Sequence, residues 1–304
     1  MEKKKGHRAQ GTGVRKPQRS QSDAAAEVVT APELRASKGT RRLVMVTAVD
    51  EPSARLADLA GVDIVLVGDS LGMAALGRAD TLSVTLDEMI HHTRAAAGGA
   101  KRALLVADMP FGSYQASVAD AVRSACRLVA EGGARAVKLE GPRCDETAAI
   151  VAAGIPVVGH LGLTPQAVHR LGGYRVQGRR IDDALRLVEQ AQALERAGAF
   201  LLVLEAIPVP LAAAMTRRVG IPTIGIGAGP ECDGQVLVFA DLLGLSDAPA
   251  PRFVRRYADL GRVIREAIAA FARDVRTGRY PAPDETYPSP PALTVALAKH
   301  LGDD

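Results

Sequence analysis

One phrase recurs along this chain, and it limits the fold more than any other feature. A helix-stopping glycine is followed by a turn, an apolar run of strand length, and a polar or glycine end. Gly61 leads through Val62–Gly68 to Asp69. Gly99 leads through Ala100–Ala107 to Asp108, and Gly133 leads to Lys138 and Glu140. Gly154 leads to His160, Gly198 to Glu205, and Gly220 to the Gly227-Ala228-Gly229 turn. Glycine ends helices because it adopts the left-handed backbone freely. Continuous apolar runs suit strands covered on both faces. The repeated unit is therefore a β-α element of a parallel sheet.

Leu43–Ala48 reads as a first strand and Val236–Phe239, ending at Asp241, as an eighth. Between the strands, helices are expected over residues 52–60, 85–97, 118–131, 146–153, 182–197 and 210–218, with Thr85 and Glu88 forming a capping box. After the eighth strand, Val254, Tyr257, Val263, Ile264, Ile268 and Phe271 fall on one face of a long helix. This alternation predicts a (β/α)8 TIM-type barrel with extra terminal segments. An open doubly wound sheet is the rival. The closed ring explains better why polar groups finish strand after strand, since it brings those ends to one mouth.

The expected boundaries are a disordered basic tail over 1–38, the catalytic barrel over 39–278, and a Pro-rich extension over 279–304. The chain is 47% hydrophobic with no tryptophan and 3% aromatic residues, so the core must be built from Ala, Val, Leu and Ile. The net charge of +4 comes from the first twenty residues, where Lys3, Lys4, Lys5, Arg8, Arg15, Lys16 and Arg19 face only Glu2. The near-neutral body gives no electrostatic case for nucleic-acid binding. Cys126, Cys144 and Cys232 are scattered, with no disulfide or metal spacing, so a reducing cytoplasm is expected. No apolar run is long enough to span a membrane, and the basic start lacks the apolar stretch of a secretory signal.

Within Ala136–Glu140, residues two apart share a face, so Lys138 and Glu140 point the same way. Charged groups on a buried strand pair, bind something or do chemistry. Asp69, Asp108 and Glu140 end strands two, three and four and are expected to be neighbours. Clustered carboxylates repel unless a cation sits among them, and hard oxygen donors favour Mg2+ with several waters retained. The plainer alternative makes each acid a helix N-cap. Ser70 could donate to a bound carboxylate or be an ordinary turn serine. Lys138 could anchor a substrate carboxylate, form a Schiff base, or pair with Glu140. His160 could orient a ligand, carry a proton, or be structural. Glu205, approached by the apolar Leu201–Leu204, suits a general base. The glycine-rich passage from Leu161 to Arg179 is long for a compact domain and reads as functional. Gly225–Gly229 is a weak nucleotide signal, since it runs into Pro230 and opens no helix.

Taken as a set, Val67–Met73 (VGDSLGM), Ala107–Gln115 (ADMPFGSYQ), Val137–Gly141 (VKLEG), Gly159–Gln166 (GHLGLTPQ), Leu171–Gly178 (LGGYRVQG), Ile221–Pro230 (IPTIGIGAGP) and Cys232–Val238 (CDGQVLV) closely resemble the ketopantoate hydroxymethyltransferase family, over residues 40–287 and in order. The resemblance implies a decameric (β/α)8 barrel that moves a hydroxymethyl unit from 5,10-methylenetetrahydrofolate to 3-methyl-2-oxobutanoate through a Mg-stabilised enolate. It implies Asp69 and Asp108 as Mg2+ ligands with Glu140 at the metal's edge. Asp69, Ser70, Asp108, Lys138 and His160 would meet the 2-oxo acid, and Glu205 would be the base. The sequence departs from the family pattern at Val49, Arg78-Ala79, Pro142 and His169. Other readings are a Mg-dependent carbon–carbon lyase on another 2-oxo acid, a Lys138 Schiff-base aldolase, and a non-catalytic copy that only binds or assembles.

Overall fold

A computed structural model gives the fold and describes residues 27–246 and 250–302. The eight strands are β1 (Leu43–Thr47), β2 (Ile64–Val67), β3 (Leu104–Asp108), β4 (Ala136–Glu140), β5 (Val157–Gly162), β6 (Leu201–Glu205), β7 (Thr223–Ile226) and β8 (Gly234–Leu237). All pair in parallel, each with its neighbour in sequence, and β8 closes on β1 with Leu43 opposite Gly234 and Val46 opposite Leu237. The expected closed (β/α)8 barrel is therefore the fold.

The helices are α1 (Ala31–Ala36), α2 (Glu51–Leu59), α3 (Leu71–Ala74), α4 (Leu86–Gly99), α5 (Val118–Ala130), α6 (Cys144–Ala152), α7 (Val168–Leu171), α8 (Ile181–Arg196), α9 (Val209–Arg218), α10 (Phe239–Leu243), α11 (Leu260–Arg276) and α12 (Pro291–Leu301). Strand alternation sorts the apolar residues into two layers. Met45, Ile64, Leu66, Leu104, Val106, Ala136, Val158, Leu201 and Val203 fill the interior. Val65, Val67, Leu105, Ala107, Val137 and Leu139 face outward and pack under α2, α4 and α5, while Leu202 and Leu204 pack under α8 and α9. The interior rows continue toward the C-terminal ends as Asp108, Lys138, Glu140, His160 and Glu205. The site is thus the last layer of the barrel core, written in polar residues.

Several expectations need correction. Residues 27–38 are not part of a disordered tail: Thr30 caps α1 in a capping box, and Val29, Ala31 and Leu34 are buried in the interior cluster. Residues 1–26 lie outside the described residues. The eighth strand ends at Leu237, not at Asp241. Phe239 and Asp241 belong to α10, and the Phe239 amide donates to Thr47 Oγ1 at 2.9 Å. Val254 and Tyr257 precede α11 rather than sharing its face. β2 stops two residues before Asp69, while β5 continues past His160 to Gly162.

The wall is not covered evenly. At the β8–β1 seam, Val44 is 48% exposed and Gln235 is exposed. A hollow of about 780 Å³ opens there, lined by Arg42, Val44, Gln235, Phe253 and Tyr257 among others. No residue of α11 is buried, although Val263, Ile264, Ile268, Phe271 and Val275 form an apolar stripe along it.

Candidate active site

At the C-terminal mouth, β2, β3 and β4 bring Asp69, Asp108 and Glu140 together, all buried. None of them caps a helix. The turn before α3 has Ser70 at the cap position, with no side-chain capping bond from its hydroxyl. Asp69 sits just past β2, and its backbone N–H donates to Asp108 Oδ2 at 3.0 Å. Asp108 Oδ1 is 2.9 Å from Lys138 Nζ, yet it is buried without an aligned hydrogen bond. Lys138 therefore pairs across to the neighbouring strand, with Asp108, rather than with Glu140 two residues along its own.

The electrostatics follow from burial and crowding. Burial, then the charges of Asp108 and Glu140, push Asp69 well above the usual carboxylate range. Burial also raises Asp108, with Lys138 pulling the other way. Burial disfavours the Lys138 ammonium, but Asp108, Glu140 and Asp69 outweigh it and hold Lys138 charged, above its ordinary value. Glu140 lies below its ordinary value: burial opposes its charge, while His160, Lys138 and the Gln166 N–H favour it.

His160 joins the two sides of the mouth. Its Nδ1 lies 3.6 Å from Glu140 Oε1 and 3.1 Å from Lys138 Nζ, and its Nε2 lies 3.2 Å from Glu205 Oε2. Burial and Lys138 resist a positive ring, but a carboxylate at each nitrogen raises its pKa to about 9. The contact with Lys138 belongs to the neutral ring, whose Nδ1 accepts from the ammonium. Glu205 ends β6 and retains some solvent access. Its backbone is tightly held. Leu163 N–H donates to Glu205 O at 2.8 Å. Gly162, at φ 97, lies so close that a Cβ there would overlap that oxygen. Ala206, the next residue, takes φ 46, a left-handed conformation that costs a non-glycine residue energy and here aims the end of the strand.

The sequence left two members of this site unassigned. Gln166, in the loop after β5, donates from Nε2 to Asp69 Oδ2 at 2.8 Å and to Met109 O at 2.9 Å. Tyr114 donates to Gln166 Oε1 at 2.6 Å and accepts from the Glu140 N–H at 3.2 Å. Burial, with Glu140 beside it, pushes the Tyr114 phenol far above its ordinary pKa, so it stays a hydroxyl donor. The sequence signals for Gln166 and Tyr114 were their places in the Gly159–Gln166 and Ala107–Gln115 motifs, which gave neither a role. Behind these two residues lies a cavity of about 610 Å³, with Leu82, Phe111, Arg143, His169 and Arg170 in its lining. Ser70 is half-buried, and no described residue bonds its hydroxyl.

The donor set fits Mg2+ in one respect and limits it in another. Asp69 and Asp108 offer hard oxygens at adjoining strand ends, and the strain on Asp69 is of the kind a cation relieves. Among the described residues, no three His, Cys, Asp or Glu side chains form a ligand cage. Glu140 instead receives the Gln166 N–H at 3.0 Å and faces His160. The fit is to a cation held by two carboxylates that keeps most of its own waters.

A sequence profile described as ketopantoate hydroxymethyltransferase matches residues 28–283. A 3-methyl-2-oxobutanoate hydroxymethyltransferase of Nitratidesulfovibrio vulgaris (strain DP4) is 56% identical over 261 residues, covering 85% of each chain. The protein of that name from Moorella thermoacetica is 53% identical over 262 residues, covering 85% of this chain and 97% of its own. Among solved structures, 2,3-dimethylmalate lyase, described as a PEP mutase/isocitrate lyase superfamily member, superposes with a TM-score of 0.54 at 16% identity, covering 90% of this chain and 99% of that one. Phosphonopyruvate hydrolase, solved with oxalate and Mg2+, gives 0.53 at 19% identity, covering 90% of this chain and 95% of that one. These two structures share the fold.

Proposed function

This chain belongs to the ketopantoate hydroxymethyltransferase family, and from that premise we propose how its mouth carries out the reaction. The enzyme transfers a hydroxymethyl group to 3-methyl-2-oxobutanoate and gives 2-dehydropantoate, a step of pantothenate biosynthesis. 5,10-Methylenetetrahydrofolate supplies the one-carbon unit. Asp69 and Asp108 hold Mg2+, which when bound supplies a Lewis acid for the 2-oxo group. Lys138 and His160 hold the negative end of the 2-oxo acid, and the Ser70 hydroxyl donates to it. Glu205 takes the proton from C3, and the resulting carbanion bonds to the one-carbon unit, whose two C–N bonds to the folate are broken as water supplies the hydroxyl and tetrahydrofolate leaves. His160 steadies Glu205 through Nε2.

The observation that carries this reading is the separation of acids. A buried carboxylate pair, Asp69 and Asp108, sits on one side of the Lys138–His160 bridge. A single, more accessible carboxylate, Glu205, stands on the other. Cation and base thus have different seats. A Lys138 Schiff base fits less well, because a nucleophilic amine must be neutral and its acidic neighbours hold this one charged.

The test is C3 proton exchange of 3-methyl-2-oxobutanoate in D2O, followed by NMR with and without Mg2+ and without folate. Metal-dependent exchange is expected, falling roughly 10²- to 10⁴-fold in Glu205→Gln. Exchange at an unchanged rate in that variant would remove Glu205 as the base.

The enzyme works as a homo-oligomer, a reading supported by the exposed apolar stripe of α11 and the open β8–β1 seam. Its place is the cytoplasm, a reading supported by three scattered cysteines with no disulfide spacing. No helix among the described residues is long and apolar enough to cross a membrane.

A further inference from the structure

We propose that Gln166 is a positioning residue that presents the Asp69 carboxylate to a divalent cation, with Tyr114 fixing Gln166 in turn. This rests on the reading of Asp69 and Asp108 as the cation pair.

A primary amide has two donor hydrogens and an oxygen with two lone pairs. In Gln166 all four are used. Nε2 faces two groups that can only accept, Asp69 Oδ2 and Met109 O. Oε1 faces two donors, the Tyr114 hydroxyl and Gln115 Nε2, the latter at 3.1 Å. Reversing the amide would set its oxygen against a carboxylate and a carbonyl, so the network permits one orientation. The residue is 7% exposed, and its own backbone N–H donates to Glu140 Oε2. One residue of the loop after β5 therefore holds an oxygen of the acid that follows β2 and an oxygen of the acid that ends β4.

The chemistry of the donor matters. Asp108 accepts the Asp69 N–H at Oδ2 and has an ammonium 2.9 Å from Oδ1, which balances its charge. Asp69 is oriented by a neutral amide, which fixes Oδ2 and leaves the charge in place. Among the described residues, nothing hydrogen-bonds its other oxygen, Oδ1. A carboxylate aimed by a neutral donor, beside one balanced by a cation, suits a site that must still attract a divalent ion. Removing such an outer partner characteristically weakens metal binding without touching a ligand.

The test uses the 304-residue chain, free of substrate, titrated with Mn2+ as the probe and read by calorimetry or electron paramagnetic resonance. Gln166→Met should raise the Mn2+ Kd about 10- to 100-fold. Its kcat should recover toward that of the unaltered chain at saturating metal. Tyr114→Phe removes one oxygen atom and should shift Kd the same way by less. It keeps the idea testable if Gln166→Met folds poorly. Asp108→Asn is the control and should abolish binding. If Asp108→Asn abolishes binding while both other variants leave Kd within about twofold and only lower the melting temperature, Gln166 is a structural strut and the proposal falls alone. If Asp108→Asn also leaves Kd unchanged, the cation-pair reading fails and takes the proposal with it.

Discussion

The mouth of the barrel and its β8–β1 seam are built on opposite terms. At the mouth, six ionisable side chains and an amide are packed together, joined by ion pairs and hydrogen bonds from the same chain. At the seam, Val44 and Gln235 lie open, and farther along the chain α11 carries an exposed apolar stripe on which Tyr280 meets only Phe271 at one end. Charge and hydrogen bonding within one chain suffice to order the first region. The second has apolar surface on both strand and helix, and it becomes sound only when something covers it. The site's geometry should therefore depend on internal pairs, and the seam's stability on assembly.

The largest effect is expected where an internal pair is broken. Lys138→Met would leave Asp108 buried beside Asp69 and Glu140 with no counter-charge. Removing one partner of such a pair costs about 3–5 kcal/mol. Urea unfolding would measure it, and Lys138→Met with Asp108→Asn should recover part of the loss. A Lys138→Met chain as stable as the unaltered one would mean that the ion pair is not what organises the mouth.

An intermediate effect is expected on the exposed apolar face of α11. Ile268→Asp, in the middle of the α11 stripe, would place a carboxylate on a surface that assembly should bury. A buried isoleucine contributes about 1.5–3 kcal/mol, so each contact should weaken by at least tenfold. Sedimentation should show dissociation while helical content and the Glu205-dependent exchange rate of the remaining folded chains persist. An unchanged sedimentation coefficient would sink the reading of α11 as an assembly surface and leave the two regions without their contrast.

The same contrast explains what could be read from the sequence. The barrel was legible because one unit after another carries its own glycine, apolar run and polar or glycine end, all within about thirty residues. Asp69, Asp108, Lys138, Glu140, His160 and Glu205 were legible because a polar residue at the end of a buried strand is conspicuous. Gln166 was not: its bond to Asp69 spans 97 positions, and a loop glutamine is an ordinary residue until the fold brings that carboxylate to it. The end of β8 was misplaced because Val236–Phe239 is one apolar run that serves two elements, cut where the Phe239 amide meets Thr47. The helix α1 was hidden by the basic, polar stretch before it, although Thr30 and Glu33 spell a capping box.

The smallest expected effect lies between the two regions, in the loop that carries the chain from β2 to α4. Arg78, one of the departures from the family pattern, donates from Nη1 to Glu88 Oε2 at 3.0 Å and to Ser83 O at 2.8 Å. The Arg78 hydrogen bond, followed by that of the Thr85 N–H, lowers the Glu88 pKa to about 2. A carboxyl group with a depressed folded pKa contributes stability above its unfolded value near 4.5, and loses it as the pH falls toward 2. The pair is partly exposed, which limits it to about 1 kcal/mol or less. Arg78→Ala should therefore lower the melting temperature by a few degrees at most at pH 7. That gap should narrow as the pH falls below 4.5. A gap that stayed constant from pH 7 to pH 3 would assign the Arg78 contribution to packing of its aliphatic stem rather than to its charge.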